Sequence, residues 1–417
     1  MSPPQHPPKD PVGSAPGRAT APGLDPLAAL LRLRDLPSRL VIGLMSGTSA
    51  DGTDAALCEV TGAGEATRVK LLAYVGTQFS RSLRERIYAL GEADTRELSE
   101  LDVLIGQAFA EAAFAVCAKA GRNMNEVHLI GSHGQTAAHL PRVAGQIGAT
   151  MQIAEPAVIA ERTGRPVISD FRVRDMAAGG EGAPLVPLVD YILCRAPGRV
   201  RAVQNIGGIA NVTLVGDRLE DVVAFDTGPG NMPLDAVARA ASRGTESYDV
   251  NGERAARGTI DAALLAELNA HPYLALRPPK STGRELFGRR FVNPLLDRWK
   301  ARAGGVVSTA LDDLLATLTR FTAETIVRSY REHLPRFPDE VYVCGGGARN
   351  PTLMRHLAEL CAPVPVRDSG AIGLDADAKE AMAFGVLANE TLHGHPGNLP
   401  QVTGAAGPRV LGKITLQ

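Results

Sequence analysis

Along residues 41–58 the chain switches from apolar to polar and back. Val41 to Leu44 are apolar, Ser46 to Asp54 are glycine or short polar residues except for Ala50, and Ala55 to Cys58 turn apolar again. That pattern predicts a strand, a tight turn and a second strand. Gly47 and Gly52 let the backbone approach a ligand, while Ser46, Thr48, Ser49 and Thr53 add hydroxyl donors. Backbone N–H groups and hydroxyls converging in one turn suit an anion such as phosphate. An ordinary surface hairpin is the alternative. The pattern recurs at Val203–Val215, VQNIGGIANVTLV, where Gly207 and Gly208 separate two apolar runs. An echo at the start of each half predicts a repeated architecture.

Between the hairpins, strands are expected over Val69–Val75, Val127–Ile130, Gln146–Ile153 and Pro166–Ser169. Helices are expected over Ser80–Leu90, Leu98–Cys117, Glu155–Thr163 and Leu185–Cys194, the second of them with apolar residues at the helical period. Gly131 to Thr136, GSHGQT, reads as a turn at a strand end, where open α/β sheets bind ligands. The glycine-rich stretch 177–184 reads as a flexible loop near a lobe boundary. Beyond the second hairpin, a strand over Val222–Phe225 ends at Asp226 and a helix covers Leu234–Ala241. A long helix spans Thr309–Tyr330 with Thr309 as its N-cap. A strand at Val341–Cys344 runs into Gly345-Gly346-Gly347, and Asn350-Pro351 starts a helix over Thr352–Leu360. Lys379–Leu387 reads as helix and Gly397–Gly404 as loop. Residues 1–38, rich in Pro, Ala and Gly and lacking a signal-peptide core, are expected to be a disordered or loosely attached extension ending in a short helix over Leu27–Leu33.

A chain of 417 residues, 45% hydrophobic, exceeds what one core supports, so two lobes are expected: 39–175, completed by 398–417, and 176–397. A net charge of −1 gives no basic field for nucleic acid, and no uninterrupted apolar run argues for a membrane span. Five scattered cysteines without a CxxC pair fit a reducing cytoplasm.

Two glycine hairpins and a strand–GGG–helix unit are the parts needed to hold a nucleotide triphosphate between two lobes, with a helix N-terminus approaching the nucleotide. GxxxxGK[ST] is absent from the sequence, which argues against a P-loop. Phosphoryl transfer to an alcohol or water also needs a base, and Asp226, at a strand end before Gly-Pro-Gly, projects toward a cleft. Asp51, Asp54, Asp175 and Glu380 are further candidates, although each reads more readily as a capping or turn acid. His133 and His139 have a spacing open to metal binding or to a hydrogen-bonded turn. Lys280 to Glu285, KSTGRE, gathers cations and hydroxyls for an anionic substrate, or forms a solvated turn.

Together these segments resemble the anhydro-N-acetylmuramic acid kinase family. The resemblance is carried by Met45 to Asp54, Gly131 to Thr136, Asp175 to Pro187 (DMAAGGEGAPLVP), Asn205 to Gly208, Phe225 to Asn231, KSTGRE and Val343 to Ala348, in order over residues 40–417. It implies an α/β, two-lobed actin/hexokinase-like (ribonuclease H-like) fold with the nucleotide cleft between lobes, and a cytoplasmic homodimer. The implied reaction consumes ATP, with Mg²⁺, and water to open the 1,6-anhydro ring and phosphorylate O6. By motif, the phosphates fall to Gly47, Thr48, Ser49, Ala50, Asp51, Gly52, Thr53 and Asp54, with Gly207, Gly208, Gly345, Gly346 and Gly347 completing the nucleotide site. Asp226 would activate the water, and Glu380 would assist at the sugar. His133, Gln135, Thr136, Asp175, Lys280, Ser281 and Thr282 would line the sugar site. Residues 373–378 depart from the family's usual Pro-containing version. A conventional sugar kinase and a muropeptide-sensing nucleotide switch are the competing readings.

Overall fold

The structure is a computed structural model that describes residues 25–47, 50–140, 147–302 and 307–417. A short helix, α1 (Pro26–Arg32), leads into the meander β1 (Ser38–Ser46), β2 (Gly52–Thr61) and β3 (Arg68–Gln78). Helices α2 (Arg81–Tyr88) and α3 (Thr95–Lys119) follow, then β4 (Leu129–Leu140), β5 (Ala149–Ile153), α4 (Pro156–Thr163), β6 (Val167–Ser169), α5 (Phe171–Ala177) and α6 (Val186–Cys194). A second meander comprises β7 (Arg201–Ile206), β8 (Ile209–Val215) and β9 (Val223–Pro229). Helices α7 (Asn231–Ala241), α8 (Glu253–Arg257), α9 (Ala262–Asn269), α10 (Arg284–Phe287), α11 (Arg289–Arg302) and α12 (Val307–His333) come next. The chain closes with β10 (Glu340–Cys344), α13 (Pro351–Cys361), β11 (Val366–Asp368), α14 (Lys379–His393), α15 (Pro400–Thr403) and β12 (Lys413–Thr415).

The sheet orders are β12-β6-β4-β1-β2-β3, with β5 on β4, and β11-β10-β7-β8-β9. Each contains a meander whose first strand is extended by two parallel strands on the same side. The repeat foreshadowed by the two hairpins is therefore a repeat of whole sheets. This is the two-lobed, ribonuclease H-like arrangement of the actin/hexokinase type.

Alternation along β1 explains how the first sheet is covered. Ile42 and Leu44 join the core beneath α3, whereas Val41 and Met45 join a second core containing Phe384 and Leu387 of α14. A central strand covered on both faces reads as a continuous apolar run, as Val41–Leu44 does. The second of these cores also takes in Val203, Val215 and Cys344 from the other sheet, with α6 packed between α14 and β8. Helix α3 has the length and composition to cross a membrane, and half of its apolar window is buried inside the protein.

Several expectations change. GSHGQT is no turn: β4 runs straight through it. Its Gly131 serves close packing, because a Cβ there would lie 2.1 Å from the Phe384 carbonyl oxygen of α14. Strand β9 likewise continues past Asp226 to Pro229. Thr309 lies inside α12 rather than capping it. Helix α14, within the span 176–397, packs on β1, β2 and β4 of the first sheet. Residues 25–38 are not loosely attached, since α1 places Leu30 in the core at 4% exposure; the rest of the extension, 1–24, lies outside the described residues.

Candidate active site

The first hairpin is braced from within. The Ser46 hydroxyl sits 2.7 Å from the Gly52 carbonyl oxygen and 2.6 Å from Oε1 of Gln135, whose Nε2 donates to the Gly47 carbonyl oxygen at 3.4 Å. Gln135 thus fixes the turn. Gly52 is demanded by β3, since a Cβ would meet the Thr77 carbonyl oxygen at 2.0 Å. Ala50 takes φ 54°, Asp51 is exposed and accepts from the Tyr88 hydroxyl, and Thr48 and Ser49 lie outside the described residues. The Thr53 hydroxyl is buried without a hydrogen-bond partner, which leaves it for a ligand. Asp54 accepts 2.5 Å from the Tyr74 hydroxyl; burial raises its carboxyl above the ordinary value, against the Tyr74 bond and with help from Asp377.

Asp54 also faces Glu380, at the start of α14. Glu380 keeps solvent-accessible surface although protein encloses it on most sides, as a group in a recess does. Burial raises its carboxyl, reinforced by Asp54 and Asp190 and opposed by Lys379 and Arg172. Arg172 of α5 donates from Nε to Nε2 of His133 at 2.9 Å and from Nη1 to the Gly182 carbonyl oxygen at 2.8 Å. Because Arg172 can only donate, His133 is the neutral tautomer protonated at Nδ1, 2.9 Å from the Gly134 carbonyl oxygen. Burial and Arg172 hold its pKa well down. That Nε2 lone pair is spent on Arg172, so His133 does not ligate a metal with His139, which bonds Thr150 instead. Thr136 accepts from Gln152.

Asp175 is fully buried and receives the Gly182 N–H at 2.8 Å, Asn398 Nδ2 at 2.6 Å and the Thr403 hydroxyl at 2.7 Å. Its carboxylate ties the 177–184 loop to the C-terminal segment. The loop is correspondingly well bonded rather than flexible, with Glu181 N–H donating to the Thr403 carbonyl oxygen at 2.8 Å.

The second hairpin is assembled with the triple glycine. Gly345, at φ 77°, leaves no room for a Cβ beside Oδ1 of Asn205, and Gly347 packs against Ile206. Asn231, the first residue of α7, donates its backbone N–H to the Gly207 carbonyl oxygen at 2.7 Å and its Nδ2 to the Ile206 carbonyl oxygen at 3.1 Å. Gly207, Gly208, the Gly345–Gly347 turn and the N-terminus of α7 therefore meet at one end of the central strands of the second sheet.

Asp226 has its own enclosure. Oδ2 accepts the Thr282 N–H at 2.9 Å, its own N–H donates to the Lys280 carbonyl oxygen at 3.2 Å, and its carbonyl oxygen accepts the Tyr273 hydroxyl at 2.8 Å. Burial pushes the carboxyl up to about 6; Glu285 adds to the rise, while Thr282 and Lys280 oppose it. A carboxylate poised there is suited to general-base work near neutral pH. Ser281 is exposed on the same loop.

The duplicated sheets and the enclosed Asp226 can be set beside known proteins. A family model described as "Anhydro-N-acetylmuramic acid kinase" matches residues 39–417. The chain belongs to the anhydro-N-acetylmuramic acid kinase family. A relative of that name from Caldanaerobacter subterraneus subsp. tengcongensis is 45% identical, covering 93% of this chain and 99% of its own. One from Gloeobacter violaceus is 43% identical over 90% and 98% of the two chains. Among solved structures, the activator of the 2-hydroxyisocaproyl-CoA dehydratase from Clostridium difficile with bound ADPNP is 13% identical at a TM-score of 0.39, covering 85% of this chain and 96% of that one. Membership makes the chain an ATP-using kinase acting on a sugar.

Within that family frame, the sequence reading gave no role to Arg172, Tyr273, Asn231 or the Asp190–Lys379 ion pair. Arg172 sits just before the DMAAGGEGAPLVP run, but only the fold aims it at His133. Lys379 Nζ lies 2.8 Å from Asp190 and 3.5 Å from Cys344 Sγ, with both charged side chains at 6% exposure or less. Burial works against the Lys379 charge, yet Asp190 and Cys344 more than offset it and raise its pKa. No spacing rule joins residues so far apart in the chain.

Proposed function

We propose that this chain opens the 1,6-anhydro ring of anhydro-N-acetylmuramic acid and phosphorylates the freed O6, giving N-acetylmuramic acid 6-phosphate and ADP. The observation that carries the reading is Asp226, a carboxylate clamped by Thr282 with its pKa pushed up to about 6, within the family's phosphotransferase scaffold. Water attacks C1 as the C1–O6 bond breaks, its proton passes to Asp226, and O6 takes the γ-phosphoryl group. Asp226 belongs on the face of C1 opposite O6.

The first hairpin, with the buried unpartnered Thr53 hydroxyl, and the cluster of Gly207–Gly208 and Gly345–Gly347 suit the two ends of ATP. The acidic sugar suits Arg172, whose guanidinium lies beside Glu380. The recess shared by Asp54 and Glu380 fits Mg²⁺, an ion usually held by one or two carboxylates plus phosphate oxygens and water. Bound there, Mg²⁺ would neutralise phosphate charge. Asp226 lies among Lys280, Thr282 and Glu285 rather than among Asp54, Glu380 and Arg172. Closure of two lobes, the second holding Asp226 and the first holding α14 and the C-terminal segment, would unite them. Cytoplasmic location and a homodimer complete the proposal, supported by family membership and by five buried free cysteines.

Turnover in oxygen-18 water with ATP and the anhydrosugar tests the chemistry. Label at C1 of the product is expected. Phosphorylated product without label would leave a conventional sugar kinase.

A further inference from the structure

We infer that Lys280 is a positioning residue for Asp226: its ammonium acts from behind the carboxylate, without touching substrate, to keep the base ionised and held in place. This rests on the reading of Asp226 as the base that receives the water's proton.

Lys280 is a buried cation with no conventional partner. The residue is 8% exposed, and Nζ is sealed from solvent and makes no hydrogen bond. Nζ lies 4.9 Å from the centre of the Tyr273 ring and 5.8 Å from that of Phe225. Two aromatic faces partly replace the lost hydration of an ammonium, but they do so less well than a carboxylate would. A lysine kept in such a place commonly serves the field at a functional site.

The geometry directs that field at Asp226. Phe225 is the residue before Asp226, and the Tyr273 hydroxyl donates to the Asp226 carbonyl oxygen at 2.8 Å. The Lys280 carbonyl oxygen accepts the Asp226 N–H at 3.2 Å, and two residues on the Thr282 N–H reaches Oδ2 at 2.9 Å. One loop thus holds backbone, carboxylate and counter-charge together. The charged groups facing Asp226 are Lys280 and Glu285, of opposite sign. Those facing Lys280 are Asp226 and, from α12, Arg328 and Glu332; His333 of α12 packs its ring on Phe225. Arg328 disfavours the ammonium, while Glu332 and Asp226 favour it. Burial lowers the lysine to about 8, which leaves it charged where Asp226 must be ionised.

Because Nζ is sealed, Lys280 does not reach the sugar, and its removal should act through Asp226. The test is the pH profile of kcat and kcat/KM between about pH 5 and 8, a range spanning the expected carboxylate limb, for the wild type, Lys280→Met, Lys280→Gln, Lys280→Arg and Asp226→Asn. ADP release is followed with ATP and the anhydrosugar, and thermal melts check folding. In both uncharged variants the acid limb should rise by about one pH unit, giving about a tenfold loss below the limb, with KM for the sugar nearly unchanged. Lys280→Arg should bring the limb back. An unmoved limb in a folded uncharged variant, or a raised KM with an unmoved limb, overturns the proposal. Failure of both uncharged variants to fold would make Lys280 structural and overturn it too. Full activity of Asp226→Asn would instead remove the underlying reading of the base.

Discussion

The Thr282 N–H donates to Oδ2 of Asp226 at 2.9 Å across 56 positions of sequence. That bond fixes one lone pair of the carboxylate and leaves Oδ1 to take a proton. Since burial pushes the group up to about 6, a base at this position is ionised at neutral pH, and activity that depends on it should fall below that pH. kcat/KM should fall about tenfold per pH unit on the acid side. Asp226→Asn, which cannot take the proton, should lose about 10³-fold or more in kcat while still binding ATP and sugar, as equilibrium titration would show.

Stability should move the other way. The folded carboxyl binds its proton more tightly than the unfolded one, so its contribution is full below the unfolded value of 3.8 and is lost as pH rises through about 6. At pH 7.5 the buried charge is a net cost. Asp226→Asn should therefore be more stable than wild type by about 1–3 kcal/mol in denaturant unfolding at that pH, with the gap closing toward pH 4. A less stable variant at pH 7.5 would show that the charge is not the dominant cost.

The Asp190–Lys379 pair joins α6 to α14 beside Glu380 and is sealed from water. Lys379→Met alone strands Asp190 and its bond from the Thr213 hydroxyl, and should cost about 3–5 kcal/mol. Combining it with Asp190→Leu removes both charges and should recover most of that loss, because a buried pair and an apolar replacement are close in energy. A double-mutant cycle by chemical denaturation measures this; strict additivity would mean the two charges do not share one environment.

Glycines in the two halves should respond differently to alanine. At Gly43 a Cβ would lie 1.7 Å from the Ala381 carbonyl oxygen, so Gly43→Ala must push α14 off β1 and should cost about 3 kcal/mol or more. At Gly207 the nearest atom to an added Cβ is 3.7 Å away, and Gly207→Ala should change stability by less than about 0.5 kcal/mol. If the second hairpin holds ATP, that variant should still raise KM for ATP. Equal melting temperatures for the two variants would contradict the packing argument.

Periodicity and turn chemistry belong to short stretches, and those were legible. β1–β2 and β7–β8, the α3 stripe and the Asn350 cap, whose side chain accepts the Leu353 N–H at 3.0 Å, all follow from local rules. GSHGQT misled because glycine has two uses, as a turn former and as a surface on which a helix can lie; only the approach of α14 settles which applies at Gly131. The sequence reading places no element between Ala241 and Thr309, where α8, α9, α10 and α11 lie.

Contiguous residues alone carried the two-hairpin repeat and the family, and pointed to Asp226 as a candidate acid. Tertiary structure decided the rest. It made Gln135 a brace for the first turn, turned Asp175 into a buried tie, set Arg172 against His133 and sealed the Lys280 ammonium over the Tyr273 ring. Desolvation, pKa and partner choice depend on what other segments cover, and packing across the two sheets determines that cover.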